Sequence, residues 1–313
     1  MRTVVIGLGV QGRKRRAIAG ADVAATVDPV NPDATFKDIE QIPPDSYQSA
    51  LVCTPDAAKV PVLAYLLSKG KHVLVEKPLL CKDSGEIMRL DALAKQHGAT
   101  CYTAYNHRFE PHIATLKKIL DSGRLGKVYK AGFFYGNGTA RDVCNSVWRD
   151  KGMGVLSDLG SHMLDMALFL FEDRGLDFKL WRCSRFENKA PDHVIFGTHS
   201  SPLSVVMEGT LLSWRNSFHL DVFAENGSAH IDCLCKWGPS TLTTRNRILP
   251  SGKPTEERTV LEQPDPTWAA EYQHFKELCS QADRNLSNDL WINETLERLF
   301  RESEVSGISG GSA

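Results

Sequence analysis

Two patterns in the two halves of the chain predict an α/β protein with two domains. Over residues 1–122, short apolar runs alternate with amphipathic stretches, which is typical of a parallel sheet covered by helices. From residue 123 onward, short alternating segments separated by turn residues predict an α+β domain with a mostly antiparallel sheet. The length of 313 residues suits two domains. We expect them at 1–122 and 123–305, followed by a disordered Gly- and Ser-rich tail at 306–313.

The elements of the first domain are predicted from apolar runs and the residues that end them. Five strands are expected as short buried runs, at Thr3–Ile6, Val23–Val27, Ser49–Cys53, His72–Val75 and Thr100–Ala104. Four helices are expected at Val10–Ala19, Ala57–Ser68, Asp83–His97 and Pro111–Leu120. Ser122-Gly123 is a typical stop signal after the fourth helix, so the first domain is predicted to end there.

The second domain begins with a different pattern. Lys127–Phe134 alternates as a half-buried strand, and Val155–Phe171 is a predicted helix. Several short strands follow between Lys179 and about Thr244, and Asn226-Gly227 predicts a hairpin turn among them. Two late helices are expected near Trp268–Cys279 and Asp289–Glu302.

Charge and composition exclude several classes of partner. With 37 Lys and Arg against 38 Asp and Glu, the net charge is −1, so neither a nucleic acid nor a membrane surface is an expected partner. No apolar run approaches the roughly 18 residues of a membrane-spanning helix. The N-terminal apolar run precedes its basic residues, unlike a signal peptide, so we expect a cytoplasmic protein. The eight cysteines are expected to be reduced thiols, and no metal site is expected.

A glycine-rich motif follows the first predicted strand and opens the first predicted helix. Gly7-Leu8-Gly9-Val10-Gln11-Gly12 reads G-x-G-x-x-G, in the context that a dinucleotide-binding turn requires. The first glycine makes the turn, the second admits the pyrophosphate, and the third lets helix and strand pack closely. The helix N-terminus adds positive potential for the phosphates. The motif therefore predicts a Rossmann domain that binds NAD or NADP.

An acidic residue at the end of the second strand distinguishes the two cofactors. Asp28 lies 21 residues after Gly7, where its carboxylate can accept hydrogen bonds from the adenosine ribose and would repel a 2′-phosphate. NAD is therefore favoured. The run Arg13–Arg16 leaves two alternatives open, a solvated helix face or an arginine that grips the 2′-phosphate of NADP.

Two further features carry catalytic groups. Glu76-Lys77-Pro78 follows a parallel strand, where an ammonium can stabilise negative charge on a substrate oxygen. Asp158 and His162 are four residues apart on one helix face, so the carboxylate can orient the imidazole as a general base. The alternatives are a surface charge for Lys77 and a helix-stabilising pair for Asp158 and His162.

Five motifs thus occur in a fixed order, namely G-x-G-x-x-G, Thr54-Pro55, Glu76-Lys77-Pro78, Asn106-His107-Arg108-Phe109 and Asp158-x-x-x-His162. Together they resemble the glucose–fructose oxidoreductase/inositol dehydrogenase (Gfo/Idh/MocA) family, over nearly the whole chain to about residue 302. The resemblance implies a Rossmann domain followed by a domain with an open-faced, largely antiparallel sheet. It also implies hydride transfer between nicotinamide and a carbon of a sugar, polyol or nucleotide-linked sugar.

The resemblance assigns roles to individual positions. Lys77 becomes the catalytic lysine, His162 the acid/base and Asp158 its partner, and all three would contact the substrate. Residues implied to bind the cofactor are Thr54, Pro55, Glu76, Lys77 and Asn106, with Asn106 near both nicotinamide and substrate. The family's open sheet face implies a homodimer or homotetramer.

The chain departs from the family pattern in two motifs and follows it in a third. The usual T-P-N-x-x-H has Asp56 in place of its Asn and Lys59 in place of its His. The glycine run before the Asp-x-x-x-His helix is reduced to Gly152-Met153-Gly154. Trp148-Arg149 matches the common Trp-Arg of the family, so Arg149 is expected either to contact the substrate or to form a structural salt bridge.

The predicted function is an NAD-dependent dehydrogenase or reductase acting on a CH–OH group of a small carbohydrate, with NADP as the less favoured cofactor. Two other functions remain open. One is a glycoside hydrolase that retains NAD through oxidation, elimination and re-reduction. The other is a non-enzymatic regulator that binds a dinucleotide on the same fold.

Overall fold

The computed structural model of the protein describes residues 1–146, 149–281 and 286–305, and these form two compact units. The first unit combines residues 1–106 with the segment 266–293, and the second combines 107–265 with the chain from 294 onward. The predicted tail at 306–313 lies outside the described residues. The second unit therefore begins after Asn106, whereas the predicted domain boundary lies at residue 122.

The first unit contains a five-stranded parallel sheet in the order β2-β1-β3-β4-β5. Its strands are β1 (Thr3–Ile6), β2 (Val23–Val27), β3 (Ser49–Val52), β4 (His72–Glu76) and β5 (Cys101–Ala104). The central strands β1 and β3 are buried along their whole length, which explains their continuous apolar runs. The predicted parallel sheet is confirmed.

The second unit contains an eight-stranded sheet in the order β13-β12-β11-β10-β6-β9-β8-β7. Its strands are β6 (Val128–Gly136), β7 (Phe178–Ser184), β8 (His193–Thr198), β9 (Ser204–Thr210), β10 (Ser217–Ala224), β11 (Gly227–Asp232), β12 (Ser240–Ile248) and β13 (Gly252–Leu261). All pairings are antiparallel except that of β6 with β9, so the mostly antiparallel sheet is confirmed.

Eight α-helices complete the described part of the chain. They are α1 (Val10–Ala19), α2 (Asp56–Ser68), α3 (Ser84–Gln96), α4 (Pro111–Asp121), α5 (Ala140–Cys144), α6 (Ser161–Phe171), α7 (Thr267–Cys279) and α8 (Ser287–Val305). The predicted helix at 155–171 begins as a π-helical turn, Leu156–Gly160, which leads directly into α6. No helix among these described residues has both the length and the apolar character needed to cross a bilayer.

Apolar packing assigns α7 to the first unit rather than to the second domain in which the sequence places it. Tyr272 and Phe275 of α7 belong to the same buried cluster as Val5 and Leu74 on one face of the parallel sheet. Helices α2 and α3 cover the other face. The sequence shows that α7 has an apolar stripe but not which sheet the stripe covers.

Two sequence predictions in the second sheet need adjustment. The hairpin is confirmed, but Glu225 and Asn226 form its turn because Gly227 already pairs with Ala224. The sheet also extends beyond Thr244 through the hairpin of β12 and β13. Strand β13 is exposed along almost its whole length and so has no buried alternation from which to predict it.

Candidate functional site

The predicted cofactor residues lie at one edge of the first sheet. Gly7, Asp28, Thr54 and Asn106 follow β1, β2, β3 and β5, and Glu76 is the last residue of β4. Since the strands are parallel, their carboxyl ends share one edge, and the strand order reverses direction between β1 and β3. Open α/β sheets bind their ligands at this position.

The glycine-rich turn has the geometry that its three glycines predict. Gly7 has a φ of +89°, and a Cβ added there would lie 2.7 Å from the carbonyl oxygen of Cys53. A Cβ on Gly12 would lie 1.7 Å from the carbonyl oxygen of Gly7, so α1 packs closely against the turn. A Cβ on Gly9 would meet no atom within 4 Å. The space above Gly9 therefore fits a ligand that approaches the backbone closely.

The N-terminus of α1 provides the donors for such a ligand. Gly9 is the N-cap, no side chain caps this end, and no acidic residue lies in the first turn. Val10 and Gln11 are exposed there. Backbone N–H groups and the helix dipole at an uncapped N-terminus favour phosphate. The turn fits the pyrophosphate of a dinucleotide.

Asp28 is held beside this turn by backbone hydrogen bonds. Its Oδ2 accepts from the N–H of Leu8 at 2.8 Å, and its Oδ1 accepts from the N–H groups of Val30 and Asn31 at 2.9 and 2.8 Å. Burial raises the pKa of Asp28, but these hydrogen bonds outweigh burial and lower it below its ordinary value. The carboxylate is thus ionised and oriented next to the glycine turn.

A buried ion-pair network separates Arg15 from the rest of the basic run. Arg15 is 1% exposed; its Nε donates to Glu76 at 2.7 Å and its Nη1 lies 2.7 Å from Glu271 of α7. Its guanidinium also lies 4.2 Å from the centre of the Trp268 ring. Burial lowers the pKa of Arg15, but the charges of Glu271 and Glu76 raise it above its ordinary value.

The residues of the basic run therefore differ in how they fit the two sequence interpretations. Arg13, Lys14 and Arg16 are exposed, as a solvated helix face requires. For Arg15 both interpretations are wrong, because it neither faces solvent nor is available to grip a phosphate. The sequence gives no sign of this, since its partner Glu271 lies 256 positions later in the chain.

The remaining candidates of the first unit occupy defined positions. Pro55 is the N-cap of α2, and Lys77 is half-buried directly after β4. The amide Nδ2 of Asn106, which is 7% exposed, donates to Oγ1 of Thr267 at 2.7 Å. The Oγ1 atom of Thr54 is buried in the loop after β3. The cofactor contacts assigned to these residues remain predictions.

In the second unit, His162 belongs to a cluster of rings. It lies at the start of α6, and its ring centre is 4.0 Å from that of His107 and 6.0 Å from that of Tyr135. Nζ of Lys236 lies 3.0 Å from Nε2 of His107. Because an ammonium group only donates, Nε2 of His107 is the acceptor of this hydrogen bond. The sequence motifs identify His162 but give no role to His107, Tyr135 or Lys236.

Asp158 lies in the π-helical turn that precedes α6, so the spacing assumed for a regular helix does not apply to it. Burial, and after it the charge of Asp158, raise the pKa of Tyr135 well above its ordinary value. Asp158 is therefore within electrostatic reach of the ring cluster. Its pairing with His162 remains a prediction.

The other predicted features of the second unit are less well defined. Arg149 is half-buried in a turn before Gly152, and its substrate contact remains a prediction; Trp148 lies outside the described residues. In the described ranges, no group of three His, Cys, Asp or Glu side chains is arranged to hold a metal ion.

Two family models match the chain. Residues 1–105 match the model described as "Oxidoreductase family, NAD-binding Rossmann fold", and residues 113–230 match that of the "GFO/IDH/MocA C-terminal domain". Together they cover most of the chain, in the order that the sequence motifs predict.

Curated relatives match part of the chain. An uncharacterized oxidoreductase, YdgJ of Escherichia coli (strain K12), is 35% identical over 126 residues, which are 39% of this chain and 35% of the relative. The scyllo-inositol 2-dehydrogenase (NADP(+)) IolW of Bacillus subtilis (strain 168) is 30% identical over 146 residues, 45% of this chain and 40% of the relative. The matched segments thus span well under half the length of these relatives.

Solved structures match the fold over almost the whole chain. A levoglucosan dehydrogenase in complex with NADH superposes with a TM-score of 0.81 at 17% identity, covering 97% of this chain and 97% of that one. At this level of identity the similarity establishes the fold alone.

Proposed function

Because the chain belongs to the GFO/IDH/MocA oxidoreductase family, we propose that it is an NAD-dependent dehydrogenase acting on a CH–OH group of a sugar, polyol or nucleotide-linked sugar. The observation that carries the proposal is the buried histidine pair of the second unit, in which the rings of His107 and His162 lie 4.0 Å apart and Nζ of Lys236 lies 3.0 Å from Nε2 of His107. The glycine turn and Asp28 support NAD as the cofactor.

Each proposed residue has a distinct task. His162 takes the proton of the substrate hydroxyl, and Asp158 stabilises the imidazolium that results. Lys77 donates a hydrogen bond to the substrate oxygen as negative charge develops on it. When bound, NAD supplies the acceptor for the hydride that leaves the same carbon. In the reverse direction, His162 returns the proton.

The choice of NAD over NADP rests on Asp28. One relative is an NADP-dependent inositol dehydrogenase by name, and the solved levoglucosan dehydrogenase contains NADH, so the family includes both cofactors. In this chain an ionised carboxylate lies beside the glycine turn. It would accept hydrogen bonds from ribose hydroxyls and repel a 2′-phosphate.

Replacing Asp28 with serine is expected to lower the ratio of NAD to NADP affinity by about tenfold or more, since hydrogen bonds to a charged group contribute roughly 1.5–3 kcal/mol. Fluorescence titration with NADH and NADPH measures this ratio. Asp33→Ser, at an exposed loop position, is the matched control. An unchanged ratio in Asp28→Ser would show that Asp28 does not contact the ribose.

The proposed activity is tested by following nicotinamide absorbance while the protein is mixed with NAD and panels of polyols, free sugars and nucleotide sugars. NADH formation with one compound class is expected, and Lys77→Ala should reduce its rate about 100- to 1,000-fold, as for the loss of one donor to a developing oxyanion. Glycoside cleavage without NADH accumulation would instead favour a hydrolase that retains NAD. Dinucleotide binding with no turnover of any panel member would favour a regulator.

We also propose that the open face of the second sheet forms a homodimer or homotetramer interface. Three aromatic side chains on strands of this sheet are about half exposed, namely Trp181, Tyr129 and Phe223, at 49%, 47% and 44%. Aromatic side chains are enriched at protein interfaces. By contrast, Phe218 points inward and is fully buried.

A further inference from the structure

Lys59 is a buried lysine near the strand end that carries Lys77. It lies in the first turn of α2 and is 2% exposed. Its Nζ donates to the carbonyl oxygen of Pro78 at 2.8 Å and is 2.7 Å from Oδ1 of Asp56. Pro78 is itself buried and directly follows Lys77. The ammonium group therefore ties the start of α2 to the backbone next to Lys77.

The two partners of this ion pair are the two positions at which the chain departs from the family's T-P-N-x-x-H pattern. A neutral amide and a neutral imidazole are replaced together, by Asp56 and Lys59. A buried ammonium group is costly unless a counter-charge compensates it, and Asp56 supplies that charge from a position that is 48% exposed. The paired change is physically consistent, since either substitution alone would leave a charge without its partner.

Charged groups near Lys59 influence its pKa. Burial lowers the pKa of Lys59; Asp56 and then Glu76 raise it, and Lys77 lowers it. Glu76 and Lys77 are thus close enough to influence this ammonium electrostatically. The carbonyl of Pro78 would lose its hydrogen bond within the protein interior if Lys59 were removed, and buried carbonyl groups are rarely left without one.

We infer that Lys59, compensated by Asp56, is a positioning residue that fixes the backbone after β4 and so holds Lys77 in its working position. Lys59 is too deeply buried to act on a substrate itself. Its effect on turnover rests on the proposed function, because it acts through Lys77. Its effect on the backbone does not depend on any activity.

The first test measures backbone mobility alone. Lys59→Met is expected to accelerate amide hydrogen exchange in the segment 77–82, whereas Lys69→Met, at an exposed position in the same region of the chain, should leave it unchanged. Lys59→Arg keeps the charge, so its amide exchange in 77–82 should stay close to that of the wild type. This variant is measured as well in case Lys59→Met fails to fold. Unchanged exchange in 77–82 for a folded Lys59→Met protein would overturn the inference.

The second test uses turnover. Lys59→Met should lower kcat about 10- to 100-fold with unchanged NAD affinity, as expected when a catalytic group is displaced. Asp56→Asn combined with Lys59→His restores the neutral family pair and should recover most of the loss. In a Lys77→Ala background, Lys59→Met should have no further effect; an equal loss there would overturn the role assigned to Lys59. If the wild-type protein turns over no substrate, the proposed function fails while the exchange measurement still decides the inference.

Discussion

Replacing His162 with alanine is expected to reduce turnover roughly 100- to 10,000-fold without changing NAD affinity, which is the range for loss of a general acid or base. The imidazole is 7% exposed and lies in the ring cluster of the second unit. The glycine turn and Asp28, the proposed cofactor residues, belong to the first unit, and His162 belongs to the second. Steady-state kcat and a separate NADH titration measure the two quantities.

The neighbouring ring explains why His162 rather than His107 is expected to be the base. With their centres 4.0 Å apart, two imidazolium groups would repel each other strongly. Nε2 of His107 is already engaged by Nζ of Lys236 at 3.0 Å, and we therefore propose that the positive charge that develops in the reaction falls on His162.

The control for this prediction is His199→Ala, because His199 is an exposed loop histidine of the same unit. His199→Ala should keep wild-type turnover. If His162→Ala retains turnover and His107→Ala loses it, the two histidines have the opposite roles to those proposed. Lost NADH binding in His162→Ala would instead show that His162 acts on the cofactor.

The features that the sequence predicts well are set by neighbouring residues. The strands β1 to β5 are continuous apolar runs because the sheet is covered on both faces, and the glycine turn needs three glycines at fixed spacing because Gly7 takes a positive φ and Gly12 packs on its carbonyl. Asp28 could be predicted because it comes directly after the second strand, β2. Such constraints act within about 20 residues and are therefore visible in one sequence.

The features that the sequence misses depend on contacts between distant segments. His107 and Lys236 are 129 positions apart, and only the fold brings them together beside His162. The buried ion pair of Lys59 is different, because its partner Asp56 is three residues away. Here the missing information was burial, since an Asp and a Lys at this spacing are also typical of an exposed helix face.

Replacing Arg15 with leucine is expected to destabilise the first unit by about 3–5 kcal/mol, the range for removing one partner of a buried ion pair. Glu271 is fully buried, so loss of the guanidinium leaves its carboxylate without a counter-charge. The substitution also removes the hydrogen bond that holds Glu76 and the contact with the Trp268 ring. Because Glu271 lies on α7, the link between α1 and α7 is lost at the same time.

Urea denaturation of the full chain measures this change, and Arg16→Leu is the matched control because Arg16 is exposed on the same helix. Arg16→Leu should stay within about 0.5 kcal/mol of wild type. Adding Glu271→Gln to Arg15→Leu removes the uncompensated charge and should recover part of the loss. Equal changes in the free energy of unfolding for Arg15→Leu and Arg16→Leu would contradict the prediction. Loss of an arginine from a buried ion-pair network should cost more stability than loss of one from a solvated helix face.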